Sequence, residues 1–295
     1  MSKGIFCGTG CALVTPFKDG GVDFEGLDRL TERQIEAGTD ALIVLGTTGE
    51  PCTLSDAEAD QIVERTVSRT AGRIPVIAGA GSNDTRAAVL RAKRMCRLGA
   101  DALLCVTPYY NRANQQGLTK HFLSIADAVD VPLILYNVPS RTGVNLLPET
   151  MEELLRHPNI QGIKDAGTDI IQTTRLMEIC GDGCHVYCGN DDRLLAHLAL
   201  GMRGVISVAA NVIPKKMCRI TKKAFSNEWA EARRMFFEIF PLLRALGCDV
   251  NPIPIKAALS EAGLIENELR LPLTPLSTEK TEMLKKALDT VICAV

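Results

Sequence analysis

Eight short apolar runs, each followed by a longer stretch of helical pattern, constrain this chain more than any other feature. The runs are "CALVTPF" (11–17), "ALIVLG" (41–46), "IPVIAGAG" (74–81), "DALLCVTP" (101–108), "VPLILYNVP" (131–139), "IQGIKDA" (160–166), "HVYCGN" (185–190) and "GVISVAA" (204–210). Most successive starts lie about 25–35 residues apart, the length of a strand plus a crossover helix. The runs are continuous rather than alternating, as in strands covered on both faces of a parallel sheet. Eight βα units in sequence predict an α/β fold of the (β/α)8 TIM-barrel type. A doubly wound open sheet usually has fewer strands and gives no reason for eight.

The intervening segments read as helices. "SDAEADQIVERTVSRT" opens on Ser55 with Glu58 three residues later, a capping-box spacing, and carries Ile62 and Val67 on an otherwise polar helix. "NDTRAAVLRAKRMCRLGAD" ends at Gly99, where a C-terminal glycine belongs. "EAGTDALIV" and "RLGADALLC" repeat one connection: a glycine cap, an acid, then a strand. After about residue 213 the pattern changes to helices alone. Residues 1–225 are expected to form the catalytic barrel and 226–295 a C-terminal helical extension packed on it.

With 46% hydrophobic and 23% charged residues, the 295-residue chain supports a sizeable core and is not disordered. A net charge of −2 leaves no footprint for nucleic acid or an anionic membrane. No stretch approaches the ~20 apolar residues of a membrane span, and "MSKGIFCGTG" lacks a signal-peptide layout, so a cytoplasmic protein is expected. Eleven cysteines run from Cys7 to Cys293, several inside apolar runs, and read as buried free thiols. Cys180, Cys184 and Cys188 recur at every fourth residue, but two glycines and a strand-like segment keep them off one helix face. The histidines at 121, 157, 185 and 197 have no ligand spacing either, so no metal site is expected.

Barrel enzymes place their chemistry at the C-terminal ends of the strands. Those ends carry Thr47, Thr48 and Glu50 in "GTTGE", Tyr109 and Tyr110 in "TPYYN", Tyr136 and Arg141 in "YNVPSRTG", Lys164 in "GIKDA" and Gly189 in "CGN". Each has an ordinary reading: a turn, a core tyrosine, a solvated arginine, a snorkelling lysine or half of a Lys164–Asp165 pair. Strand alternation turns Asp165 away from Lys164, which predicts a structural role for the acid. A desolvated lysine can instead be a nucleophilic amine that forms a Schiff base with a ketone. Such chemistry needs a proton shuttle, which a tyrosine beside hydroxyls supplies. Paired threonines with turn amides suit a ketoacid carboxylate, and a rim arginine a second one.

The motifs "GTTGE", "TPYYNR", "YNVPSRTG", "GIKDA", "CGND", "GVISVAAN", "NPIPIKAAL" and "LRLPLTP", spread over essentially the whole chain, resemble the dihydrodipicolinate synthase family of class I aldolases, within the N-acetylneuraminate lyase superfamily. The resemblance implies a lyase that condenses pyruvate with L-aspartate-4-semialdehyde, without a cofactor, on the route to diaminopimelate and lysine. It makes Lys164 the Schiff-base residue and Tyr136 the proton donor and acceptor. Thr48 and Tyr110 complete a proton relay, with Tyr110 reaching into a neighbouring subunit. Thr47 and Thr48 hold the pyruvate carboxylate, Arg141 the aldehyde's carboxylate, and Gly189 and Ile206 line the pocket. A homotetramer, a dimer of dimers, is implied. Where lysine-sensitive members carry a histidine and a glutamate for feedback inhibition, this chain has Ala59 and Ala87, which predicts weak or no inhibition by lysine. The alternatives are a related lyase acting on a 2-keto-3-deoxy sugar acid, against which Arg141 argues, a non-catalytic ketoacid sensor, and a metal-dependent aldolase.

Overall fold

The structure, a computed structural model, describes residues 5–292, so Cys293 lies outside the described residues. Eight parallel strands close into a barrel. They are β1 Gly8–Ala12, β2 Ala41–Val44, β3 Val76–Gly79, β4 Ala102–Val106, β5 Leu133–Asn137, β6 Ile160–Asp165, β7 His185–Cys188 and β8 Gly204–Ser207. Each pairs with the next, and β1 closes the ring against β8. Between and after them run α1 Phe24–Glu36, α2 Asp56–Thr70, α3 Thr85–Arg97, α4 Gln115–Ala126, α5 Pro148–Leu154, α6 Ile170–Cys180, α7 Leu194–Ala199 and α8 Pro214–Phe225. A single helical turn, Pro139–Thr142, follows β5. Beyond the barrel come α9 Trp229–Leu246, α10 Ile253–Glu261 and α11 Thr278–Ile292. This is the (β/α)8 TIM barrel with added C-terminal helices that the eight runs predict. Among the described residues no helix is long and apolar enough to cross a membrane.

Side-chain alternation splits the strands into two apolar layers. Ala41, Ile43, Ile77, Leu104, Ile134, Tyr136, Tyr187 and Ile206 fill the barrel interior. Leu42, Val44, Val76, Leu103, Leu135, Ile163 and Val186 face the helices, and Phe236, Ile239, Leu242, Leu284 and Leu288 of the C-terminal helices join that outer cluster.

Seven of the eight runs contain their strand where expected, whereas the first strand lies upstream of its run, at Gly8–Ala12 instead of 11–17. Gly8 pairs with Gly204, and a Cβ on Gly204 would stand 1.9 Å from the Gly8 oxygen. The close backbone approach requires glycines, which carry no strand signal.

The helix ends follow their local chemistry. The Ser55 hydroxyl accepts from the Glu58 N–H at 3.2 Å and Glu58 accepts from the Ser55 N–H at 2.8 Å, a complete capping box. Gly38 and Gly99 adopt φ of +79° and +89° in the two repeated connections. In both, the following acid binds the preceding strand: Asp40 accepts from Thr9 N–H and Asp101 from Val76 N–H, each at 2.8 Å.

Candidate active site

β5 and β6 pair so that Tyr136 lies opposite Lys164 and Asn137 opposite Asp165. Lys164 is 6% exposed, and its Nζ stands 4.5 Å from the centroid of the Tyr136 ring. Among the described residues it has no carboxylate within 4.0 Å. Asp165 points the other way. It accepts from Asn137 Nδ2 at 3.2 Å, Gly167 N–H at 3.1 Å and Thr173 Oγ1 at 2.9 Å, which ties β6 to β5 and α6.

The end of β2 turns through one 3-10 turn, Thr47–Gly49, and leaves through Glu50 at φ +52°. The Thr15 hydroxyl donates to the Gly49 oxygen at 2.7 Å. Glu50 forms a buried ion pair with Lys256 of α10, with Nζ to Oε1 at 2.6 Å and side chains 2% and 0% exposed. Its second oxygen accepts from the Arg270 N–H at 3.5 Å. Lys256 Nζ and the Arg270 guanidinium lie 4.0 and 4.4 Å from the Phe17 ring centroid. Burial holds the Lys256 ammonium below its ordinary value, and the hydrogen bond and charge of Glu50 oppose that shift. Thr48 is buried, and its Oγ1 accepts from Asn251 Nδ2 at 3.0 Å.

Arg141 sits exposed on the turn after β5, and its Nη2 donates to the Asn251 oxygen at 3.1 Å. A cavity of about 610 Å³ opens between these elements, lined by Thr47, Tyr109, Tyr136, Arg141 and Asn251 among others. The Lys164 Nζ reaches the ring of Tyr136, which lines this cavity. Gly189 follows β7, where a Cβ would lie 2.7 Å from that of Ala166. Ile206 packs inside the barrel with Tyr136. The fold thus gathers Thr47, Thr48, Tyr136, Arg141, Lys164, Gly189 and Ile206 at one end. Tyr110 is apart from them, 91% exposed at φ +73°.

Sequence reasoning missed Asn251, the Glu50–Lys256 pair and Asp191. Asp191 accepts from the Val208 and Ala209 N–H at 2.9 and 2.8 Å. Burial pushes its carboxyl above the ordinary value, partly offset by the Ser207 hydroxyl, the Ala209 and Val208 amides and the charge of Lys164. All four lie inside motifs quoted above, "GTTGE", "CGND" and "NPIPIKAAL", yet only the folded chain reveals their partners. Among the described residues no three His, Cys, Asp or Glu side chains gather as metal ligands, and Cys180, Cys184 and Cys188 are buried free thiols.

A buried amine beside a phenol, a hydroxyl-rich turn and a rim guanidinium fit amine attack on an anionic ketone. Comparison with known proteins points the same way. The 4-hydroxy-tetrahydrodipicolinate synthase of Caldicellulosiruptor bescii is 48% identical over 285 residues, covering 96% of each chain. That of Thermotoga neapolitana is 46% identical, over 96% of this chain and 98% of its own. The crystal structure of dihydrodipicolinate synthase from Thermotoga maritima superposes with a TM-score of 0.96 at 44% identity, covering 97% and 99% of the two chains. The Acinetobacter baumannii enzyme, solved with pyruvate, gives 0.94 at 45% identity over 97% and 98%. The model of the dihydrodipicolinate synthetase family matches residues 5–291, and the chain belongs to that family.

Proposed function

We propose that the chain condenses pyruvate with L-aspartate-4-semialdehyde, as a 4-hydroxy-tetrahydrodipicolinate synthase, through an imine on Lys164. The single observation that carries the assignment to Lys164 is its burial against the Tyr136 ring without a carboxylate partner. The amine attacks the ketone carbon and water leaves. The protonated imine then withdraws electrons, so the pyruvate methyl loses a proton and becomes a carbon nucleophile. That carbon attacks the aldehyde carbon. The product's own amino group then displaces Lys164 and closes the ring. No external cofactor enters these steps. Tyr136 gives and takes the protons, with Thr48 and Tyr110 as its relay. Thr47 and Thr48 hold the pyruvate carboxylate, Arg141 that of the aldehyde, and Gly189 and Ile206 shape the pocket.

The exposure of Tyr110 supports a relay completed by a neighbouring subunit, within a homotetramer built as a dimer of dimers. One solved relative is titled a monomeric variant, so sedimentation of this chain is the direct measurement. Residues 226–295 serve the barrel as a helical extension, an assignment supported by the ties from Asn251, Lys256 and Arg270 to the β2 turn. The free thiols of the ten described cysteines support a cytoplasmic location.

Borohydride trapping tests the chemistry. Pyruvate with borohydride adds one reduced adduct, located by mass spectrometry on the Lys164 peptide, and Lys164→Ala abolishes it. An adduct that survives Lys164→Ala, or none in the parent chain, overturns the assignment.

A further inference from the structure

Lys164 faces the barrel interior because β6 carries one residue more than its neighbour. On an unbroken strand, side chains two or four positions apart share a face. Ile160 and Ile163 nevertheless both lie in the outer layer against the helices. The ladder shows where the extra residue enters: Leu133 pairs with Ile160 but Ile134 with Gly162, which leaves Gln161 without a partner in β5. Such a β-bulge re-aims the side chains beyond it. Without it, Lys164 would share the outer face with Ile160, and Asp165 would point inward. With it, Lys164 lies opposite Tyr136 and its Nζ reaches that ring.

A slip of one residue would turn every side chain of the strand end to the other face. Asn137 and Asp165 oppose that slip. They are the pair next to Tyr136 and Lys164, and each is 1% exposed. Asn137 Nδ2 donates to Asp165 Oδ1 at 3.2 Å and to Asn145 Oδ1 at 3.0 Å, and its Oδ1 accepts from the Leu146 N–H at 2.9 Å. Gly167 N–H and Thr173 Oγ1 also donate to Asp165. In the slipped register Asn137 would stand opposite Lys164, and its amide would lose the carboxylate. Burial keeps water from replacing that bond, so the loss is felt in full.

We infer that Asn137 and Asp165 are positioning residues for the reaction: a buried latch that, together with the bulge at Gln161, fixes the register in which the Lys164 amine meets the Tyr136 ring. The inference rests on the reading of Lys164 as the Schiff-base residue. Through Asn145 and Leu146 the same amide also anchors the segment that follows the turn of Arg141.

The test follows imine formation on Lys164 in a single turnover, quenched with borohydride at timed intervals. It compares Asn137→Asp, Asp165→Asn and the two together, at a temperature where circular dichroism shows each folded. Leu284→Ala, a buried change in α11 outside the latch, is the control for lost stability. Asn137→Asp sets one carboxylate against another, and at saturating pyruvate it slows the imine about tenfold or more. The pyruvate concentration for half-maximal rate changes by less than about threefold, because the Thr47–Gly49 turn is untouched. Asp165→Asn alone costs less, since an amide oxygen still accepts from Asn137. Added to Asn137→Asp it restores about threefold or more, because one of the two facing charges is gone. Leu284→Ala forms the imine within about twofold of the parent rate. Where Asn137→Asp does not fold, Asn137→Ala replaces it and slows the imine about threefold or more. An Asn137 variant within about threefold of the parent, a double variant no faster than Asn137→Asp, a fall confined to the half-saturating concentration, or an equal fall in Leu284→Ala overturns the inference alone. No adduct in the parent, or one located away from Lys164, overturns the Schiff-base reading and the inference with it.

Discussion

Lys256→Met isolates the buried ion pair behind the turn that follows β2. Methionine has nearly the volume of lysine, so the change removes charge and hydrogen bonds with little cavity. It leaves Glu50 with its side chain 2% exposed and one remaining hydrogen bond, the 3.5 Å contact from the Arg270 N–H. Removing one partner of a buried pair costs about 3–5 kcal/mol, most of it the burden of the orphaned charge. Loss of the ammonium over Phe17, 4.0 Å from the ring centroid, places the expectation towards the upper half of that range. We expect a destabilisation of about 4 kcal/mol, read by urea unfolding at fixed protein concentration, with an unfolding temperature about 10 °C lower. If the orphaned charge is the cause, adding Glu50→Gln recovers about 2 kcal/mol. A loss under about 1 kcal/mol, or a double variant no better than Lys256→Met, refutes the reasoning.

Three further outcomes are expected. Arg141→Ala raises KM for L-aspartate-4-semialdehyde by about tenfold or more, while the rate of pyruvate adduct formation stays within about twofold of the parent; equal losses on both substrates contradict the assignment. The hydrogen bond from Arg270, above all, lowers the Glu58 carboxyl from 4.5 to about 2. Its folded value lies below its unfolded one, so the pair's contribution is present above about pH 4.5 and fades as pH falls towards 2. Discounted for its partly exposed side chain, that is about 1–2 kcal/mol, and Glu58→Gln removes it, flattening the loss of stability in that window. Lysine at 1 mM, an amount set for the assay at about the usual ceiling of KM values, leaves the rate unchanged. Ala59 and Ala87 line a cavity of about 260 Å³ with Arg91 and Arg94, and its one acid, Asp56, is paired to Arg94 at 2.8 Å, so a submillimolar inhibition constant contradicts this.

What could be read from the sequence is what repeats or is local. Strands covered on both faces are continuous apolar runs, so seven strands were visible where they lie, and counting them placed Tyr136 beside Lys164. Alternation alone separated Lys164 from Asp165. The first strand escaped because Gly8 and Gly10 carry no β-branched bulk, a Cβ on Gly8 falling 2.1 Å from the Asp40 carboxylate and one on Gly10 2.8 Å from Ile43 and Phe6. The capping box at Ser55 was legible for the same reason that it forms: both partners lie within one helical turn. The Glu50–Lys256 pair has no such signature. Glu50 in a turn and a lysine in an apolar helix each look like ordinary solvated charges until the fold buries both. Asn251 is more opaque still, since one of its two bonds is taken by a main-chain oxygen, which every residue has.

The ties between the β2 turn and the C-terminal helices also set an order in time. Glu50 leaves the ribosome 206 residues before Lys256 and 220 before Arg270. At about 5–20 residues per second, the nascent barrel carries that acid without its partners for about 10–40 s. Through that interval the turn after β2 lacks the bonds that Asn251, Lys256 and Arg270 give it in the finished chain. A chain that ends before Lys256 would leave the Glu50 carboxylate without its ammonium.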